Sequence, residues 1–111
     1  MQQDRVRVTL TFLPMFYEDM SEIIDYIALI LKNPDAADRI VDEVFEAIDK
    51  RLPIADRFEK YESTHEFHYD YYKINVKNFT VFYVAKNNSP FEKVMEVRRI
   101  LYNRRDLKNI I

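Results

Sequence analysis

At 111 residues, 48% hydrophobic and 14% aromatic, the chain is long and apolar enough to fold as a single domain, 1–111, around its own core, which excludes disorder. The lack of cysteine removes disulfide frameworks and thiol nucleophiles. The lack of glycine removes the glycine-rich loops that cradle phosphate in nucleotide-dependent enzymes. The formal net charge of −2 conceals a polarity: residues 1–60 hold 8 basic and 13 acidic side chains, and residues 61–111 hold 9 and 6.

Val6 to Phe12 alternates with period two and reads as a strand closed by Pro14. From Tyr17 to Lys32, Met20, Ile23, Ile24, Ile27, Ile30 and Leu31 follow helical spacing. Asn33-Pro34-Asp35 stops that helix and starts another, with Asn33 as N-cap, Pro34 in the first turn and Asp35 at the positive end of the helix dipole. Ala37, Ile40, Val41, Val44, Phe45, Ile48 and Leu52 make one apolar stripe, so residues 17–52 form a helical hairpin with acidic outer faces. Pro53 to Thr64 reads as a connecting loop.

Phe67 to Val76 is the next strand, with a slip in its alternation near Tyr71-Tyr72 that suggests a bulge. Lys77-Asn78 turns into the strand Phe79 to Ala85. A second turn, Lys86 to Pro90, leads to the last strand, roughly Lys93 to Tyr102, and Asp106 to Ile111 forms a short terminal helix. Asn78, Asn87, Asn88 and Asn103 supply turn chemistry in place of glycine. The order βααβββ is that of an α+β domain with a helical hairpin on a mainly antiparallel sheet. No apolar stretch reaches membrane-spanning length and the start lacks a signal-peptide run, so a cytoplasmic protein with no membrane partner is expected.

Chemistry concentrates at the C-terminal end. From residue 98 onward five basic side chains (Arg98, Arg99, Arg104, Arg105, Lys108) face one acidic one, Asp106. Such a cluster steers a polyanion to one face; the plainer alternative is a solvated basic tail, or one docked on the protein's own acidic helices. On a strand Arg98 and Arg99 point to opposite faces, so one of them can be structural. His65 and His68 are the only imidazoles. A strand would splay them, so a surface role is the default and a metal site is not expected. Tyr69, Tyr71, Tyr72 and their aromatic neighbours, interleaved with Lys73 and Lys77, offer stacking faces for single-stranded RNA, although strand aromatics serve chiefly in packing.

Three stretches, in this order, resemble the RelE/ParE family of bacterial toxins from type II toxin–antitoxin modules, a class also tied to plasmid stabilization. Ser21 to Ala28 followed by Asn33 to Arg39 is similar to the family's first helix and the entry to its second. Val76 to Val84 is similar to its central hairpin, and Arg99 to Leu107 to its closing strand and tail, where relatives place glycine or asparagine at the position of Asn103 as a left-handed turn residue.

The resemblance implies a small cofactor-free protein that stops growth when released from a cognate antitoxin. Two target classes share the fold: RelE-like members are metal-free endoribonucleases that cleave mRNA on the ribosome, and ParE-like members bind and poison DNA gyrase without chemistry of their own. Fold does not choose between them. For cleavage, the 2′-hydroxyl attacks the adjacent phosphate, which needs a proton acceptor, a donor for the leaving oxygen and cations on the phosphorane. The family match assigns those roles to Lys73, Arg99, Tyr102, Arg104 and Arg105, whereas Asn75 and Thr80 stand where the best-known ribonucleases carry a second lysine and an arginine. The ribonuclease is the leading expectation. Gyrase inhibition, favoured by the Asn33-Pro34-Asp35-Ala36-Ala37 junction, is the alternative, and a relative that only binds its antitoxin is a third. An apolar groove along the helices or a sheet edge is expected for the antitoxin.

Overall fold

In a computed structural model of the chain, residues 6–58 and 71–103 are described. The elements run β1 (Arg7–Phe12), α1 (Pro14–Asp25), a π turn (Tyr26–Ile30), α2 (Pro34–Arg51), a 3-10 turn (Leu52–Arg57), β2 (Tyr71–Val76), β3 (Phe79–Ser89) and β4 (Glu92–Tyr102). The sheet order is β1-β4-β3-β2. β1 runs parallel to β4, and the β2–β3 and β3–β4 pairs are antiparallel. Two helices on a four-stranded mixed sheet make the expected α+β domain. α1 lies against β4 and α2 against β2.

Pro14 does more than end a strand. It is the first residue of α1, where its missing N–H is no loss. The first helix therefore begins three residues earlier than its apolar spacing indicates, and its last turn widens into the π turn, where Leu31 N–H bonds to Tyr26 O at 3.0 Å. That rotation carries Ile30 and Leu31 off the core stripe assigned to them, leaving them 67% and 54% exposed. Lys32, with φ of 56°, turns the chain left-handed, and the Asn33 side chain caps α2 by accepting from Ala36 N–H at 3.1 Å.

One face of α2 buries Ala37, Ile40, Val44 and Ile48, and the last three join Phe16 and Met20 of α1 over Tyr72, Ile74, Val81, Tyr83, Val97 and Ile100 of the sheet. Fully buried Tyr83 locks the far end: its hydroxyl donates to Ala55 O at 2.6 Å and accepts from Arg51 Nη1 at 2.9 Å. Burial raises the Tyr83 pKa above its ordinary value, against the opposing Arg51 bond.

Three turn expectations change. β2 pairs with β3 in continuous register through Tyr71 and Tyr72, so no bulge lies there; the strand's expected start, 67–70, is outside the described residues. β3 runs on through Asn87 and Asn88, and the reversal is at Pro90-Phe91. Among the described residues the left-handed positions are Lys32 and Lys77 rather than Asn103, whose N–H instead bonds to Asn78 O at 2.6 Å.

Candidate functional site

The register of β4 against β3 decides where its arginines go. Phe82 pairs with Arg99 but Tyr83 pairs with Val97, so Arg98 is the additional residue of a β-bulge. Core-facing Met95, Val97 and Ile100 are spaced two and then three apart as a result. Arg98 and Arg99 therefore fall together between core positions, not on opposite faces by simple alternation.

β1 ends at Phe12, where Leu13 N–H still bonds to Val97 O at 2.9 Å. Beyond that point α1 runs beside the β4 edge and presents Asp19, which is 9% exposed. Its carboxylate accepts from Arg99 Nε at 2.7 Å, from Arg99 Nη2 at 2.9 Å and from Ile100 N–H at 3.1 Å. One side chain thus closes the edge donor that β1 leaves behind and grips a guanidinium in two-point geometry. That bond to Asp19, helped by the fields of Glu22 and Glu18, raises the Arg99 pKa against burial.

Arg98 belongs to a second network. Its Nη1 donates to the Tyr71 hydroxyl at 2.9 Å and its Nη2 to Glu96 at 3.0 Å, while Lys86 bonds to Glu96 at 2.9 Å. Alternation places these groups on the sheet face away from the helices, around fully buried Val84, the register partner of both Tyr71 and Glu96. Burial pushes the Glu96 pKa up, but the bonds from Lys86 and Arg98 outweigh it, so the net pKa lies below the ordinary value.

Lys73 is exposed on β2, with its carbonyl accepting from Arg51 Nη1 at 3.2 Å. Its register partner is Phe82, which in turn pairs with Arg99, so Lys73 and Arg99 share a row two strands apart, their backbones roughly 10 Å from each other. In the row two residues along from Lys73, Thr80 Oγ1 donates to Oδ1 of its register partner Asn75 at 3.1 Å, an uncharged cross-strand pair. Tyr102 packs edge-on against Phe79, with ring centroids 5.5 Å apart. Arg104, Arg105, His65 and His68 lie outside the described residues, as does the expected terminal helix.

A groove of about 430 Å³ opens between α1 and the free stretch of β4, lined by Glu22, Ile23, Tyr26, Arg99, Leu101 and Tyr102 among others. It brings Arg99 and Tyr102 together and leaves Lys73 outside. Asp19 and Glu22 are the residues that sequence reasoning missed; their i, i+3 spacing beside Ile23 and Tyr26, on the groove side of α1, was the available signal. Among the described residues no group of three or more His, Asp or Glu is placed to hold a metal ion, and no helix is long and apolar enough to cross a membrane.

Residues 10–107 match the family model described as the ParE toxin of the type II toxin–antitoxin system, parDE. A solved structure of the chromosomal ParDE toxin–antitoxin system from P. aeruginosa is similar in fold, with a TM-score of 0.64 at 18% identity over 86% of this chain and 95% of that one. No curated protein matches.

Proposed function

This chain belongs to the ParE toxin family of type II toxin–antitoxin systems, its partner is accordingly an antitoxin, and from that premise we propose that it arrests growth by binding DNA gyrase, with no bond-breaking chemistry of its own. In this reading residues 1–111 act as one toxin domain in the cytoplasm.

The observation that carries the proposal is the state of the cationic positions. Stabilising a phosphorane needs guanidinium or ammonium donors directed at the phosphate oxygens in advance. Arg99 instead spends Nε and Nη2 on Asp19, and the row two residues along from Lys73 holds the neutral Asn75–Thr80 pair. What remains suits a surface that binds.

A second reading keeps the ribosome-dependent endoribonuclease, with Lys73, Arg99, Tyr102, Arg104 and Arg105 as its catalytic set. It is favoured by the shared row of Lys73 and Arg99 and by the arginine pair that follows Asn103 in the sequence.

Inducing the chain in bacteria and mapping both gyrase-linked DNA breaks and mRNA 5′ ends separates the two. DNA breaks with intact messages are expected. Codon-phased cuts in mRNA with intact DNA overturn the gyrase proposal and direct mutagenesis to the catalytic set. Undisturbed growth at confirmed expression overturns both.

A further inference from the structure

The π turn divides two hollows. Tyr26 lines the groove beside β4, whereas the next residue, Ile27, lines a separate cavity of about 220 Å³ with Ala36, Arg39, Ile40 and Glu43 of α2 and Lys77 of the β2–β3 turn. Ile27, Ala36 and Ile40 make part of this lining apolar, and Ile40 is buried. The charged groups reach solvent: Arg39 and Lys77 are exposed and Glu43 is half-buried.

Arginine is the charged residue that most often anchors one protein on another, and the described arginines differ in what is left to them. Arg51 bonds to Tyr83 and lies 3.5 Å from the centre of the Phe58 ring, Arg98 bonds to Tyr71 and Glu96, and Arg99 is held by Asp19. Among the described residues no hydrogen bond or ion pair engages the Arg39 guanidinium, so its fork of N–H donors is open to a partner. Lys77 is the second cation. Its pair with Glu43 is long, 3.8 Å, and its side chain is 65% exposed, so solvent screens the pair and the lysine turns to a new acceptor at little cost. Its left-handed backbone, with φ of 55°, is strained for a lysine, and strain of this kind gathers at binding sites.

Two cations and one carboxylate leave the cavity one net positive charge, the complement of a single acidic side chain. A nucleic-acid strand, charged about every 3.4 Å, fits poorly, because Glu43 and the exposed Asp35, Asp38 and Asp42 of the same helix repel the phosphates on either side.

We propose that this cavity is where the chain grips gyrase, receiving one aspartate or glutamate of that enzyme between Arg39 and Lys77 while the apolar residue beside it packs on Ile27 and Ile40. The proposal rests on the gyrase reading above and adds the surface that carries it. The Arg39 guanidinium meets the carboxylate in two-point geometry, and Lys77 closes on the same group in place of Glu43.

Equilibrium binding of the purified chain to purified gyrase, followed by biolayer interferometry, is the test. Arg39→Glu is expected to weaken binding by about thirtyfold and Lys77→Glu by about tenfold. Arg39→Lys keeps the charge but loses the two-point grip, and is expected to weaken it by about threefold. Lys50→Glu, near the other end of α2, leaves affinity within about twofold. Raising the salt concentration weakens the wild type more than Arg39→Glu, since the lost contact is ionic. Circular dichroism of each variant confirms the fold, as Arg39 and Lys77 are both exposed.

Wild-type affinity in both charge reversals, measured against a wild-type chain that binds gyrase, overturns the proposal and leaves the gyrase reading standing. A wild-type chain that does not bind gyrase overturns both. Fluorescence anisotropy of a labelled DNA duplex checks the other class of anion: a duplex that the wild-type chain binds and Arg39→Glu releases would assign the cavity to phosphate and overturn the proposal.

Discussion

Replacing Asp19 with alanine tests whether its carboxylate holds Arg99 and closes the β4 edge. The substitution removes three hydrogen bonds at once: two from Arg99 and one from the buried Ile100 N–H. An orphaned buried backbone donor costs about 1–3 kcal/mol. The ion pair adds less, because the Arg99 side chain is 40% exposed and solvent screens it, so about 0.5–1 kcal/mol is appropriate. A loss of about 2–3 kcal/mol follows, which lowers the melting temperature of a domain this size by roughly 10 °C. Asp19→Asn keeps an acceptor for Ile100 N–H and Arg99 Nε but loses the charge and the acceptor for Arg99 Nη2, so it is expected to cost about 1–2 kcal/mol. Urea denaturation followed by circular dichroism measures both variants. If Asp19→Ala stays within about 0.5 kcal/mol of wild type, Asp19 is not the tie that closes the β4 edge and Arg99 is not held. Arg99 is then available to a phosphate, which favours the ribonuclease.

Three further outcomes are expected from the same structure. Glu96 has a folded pKa below its ordinary 4.5, so its contribution is present above that value and is lost as pH falls through the lower folded value; Asp56, lowered chiefly by its 2.9 Å bond to Lys93, acts the same way below 3.8. Stability measured against pH should therefore fall below about pH 4.5, with a shallower fall in Glu96→Gln. Tyr83→Phe leaves Ala55 O and the Arg51 guanidinium without their shared hydroxyl and is expected to cost about 1–3 kcal/mol by urea denaturation; an unchanged midpoint would mean that water replaces it. Lys32→Gly and Lys77→Gly relieve left-handed backbone at φ of 56° and 55° and should each raise the melting temperature by a few degrees, corresponding to about 0.5–1 kcal/mol. A fall in either would assign the lysine side chain a stabilising role that outweighs the strain.

The helical hairpin was legible because its signals are local. Asn33 and Pro34 mark a helix start wherever they occur in that order, and the stripe from Ala37 to Ile48 has one period throughout. The π turn was not legible, since Ile27, Ile30 and Leu31 satisfy a 3.6-residue period until the ladder widens, and only then do Ile30 and Leu31 face out. The bulge at Arg98 left a trace that alternation alone misreads: apolar residues at 95, 97 and 100 keep one face only if a residue is added between them. The tie between Asp19 and Arg99 spans 80 positions and has no local signature, so the sequence showed a cluster of arginines without showing that one was already bound.

That single contact also orders the choices open to the protein. With Asp19 on the β4 edge, Arg99 is held through Nε and Nη2, Ile100 N–H is closed to strand addition, and Asp19 and Glu22 line a largely apolar groove. Under the gyrase proposal each consequence favours recognition of a protein by its side chains over catalysis on RNA. Returning Arg99 to phosphate chemistry would require breaking a two-point ion pair and exposing a buried carboxylate to an incoming polyanion. A like charge held that close repels the ligand a ribonuclease must bind. Two proximate carboxylates, Asp19 and Glu22, therefore argue against RNA at this end of the sheet more strongly than the loss of any one lysine, and they do so on residues that the arginine-rich tail drew attention away from.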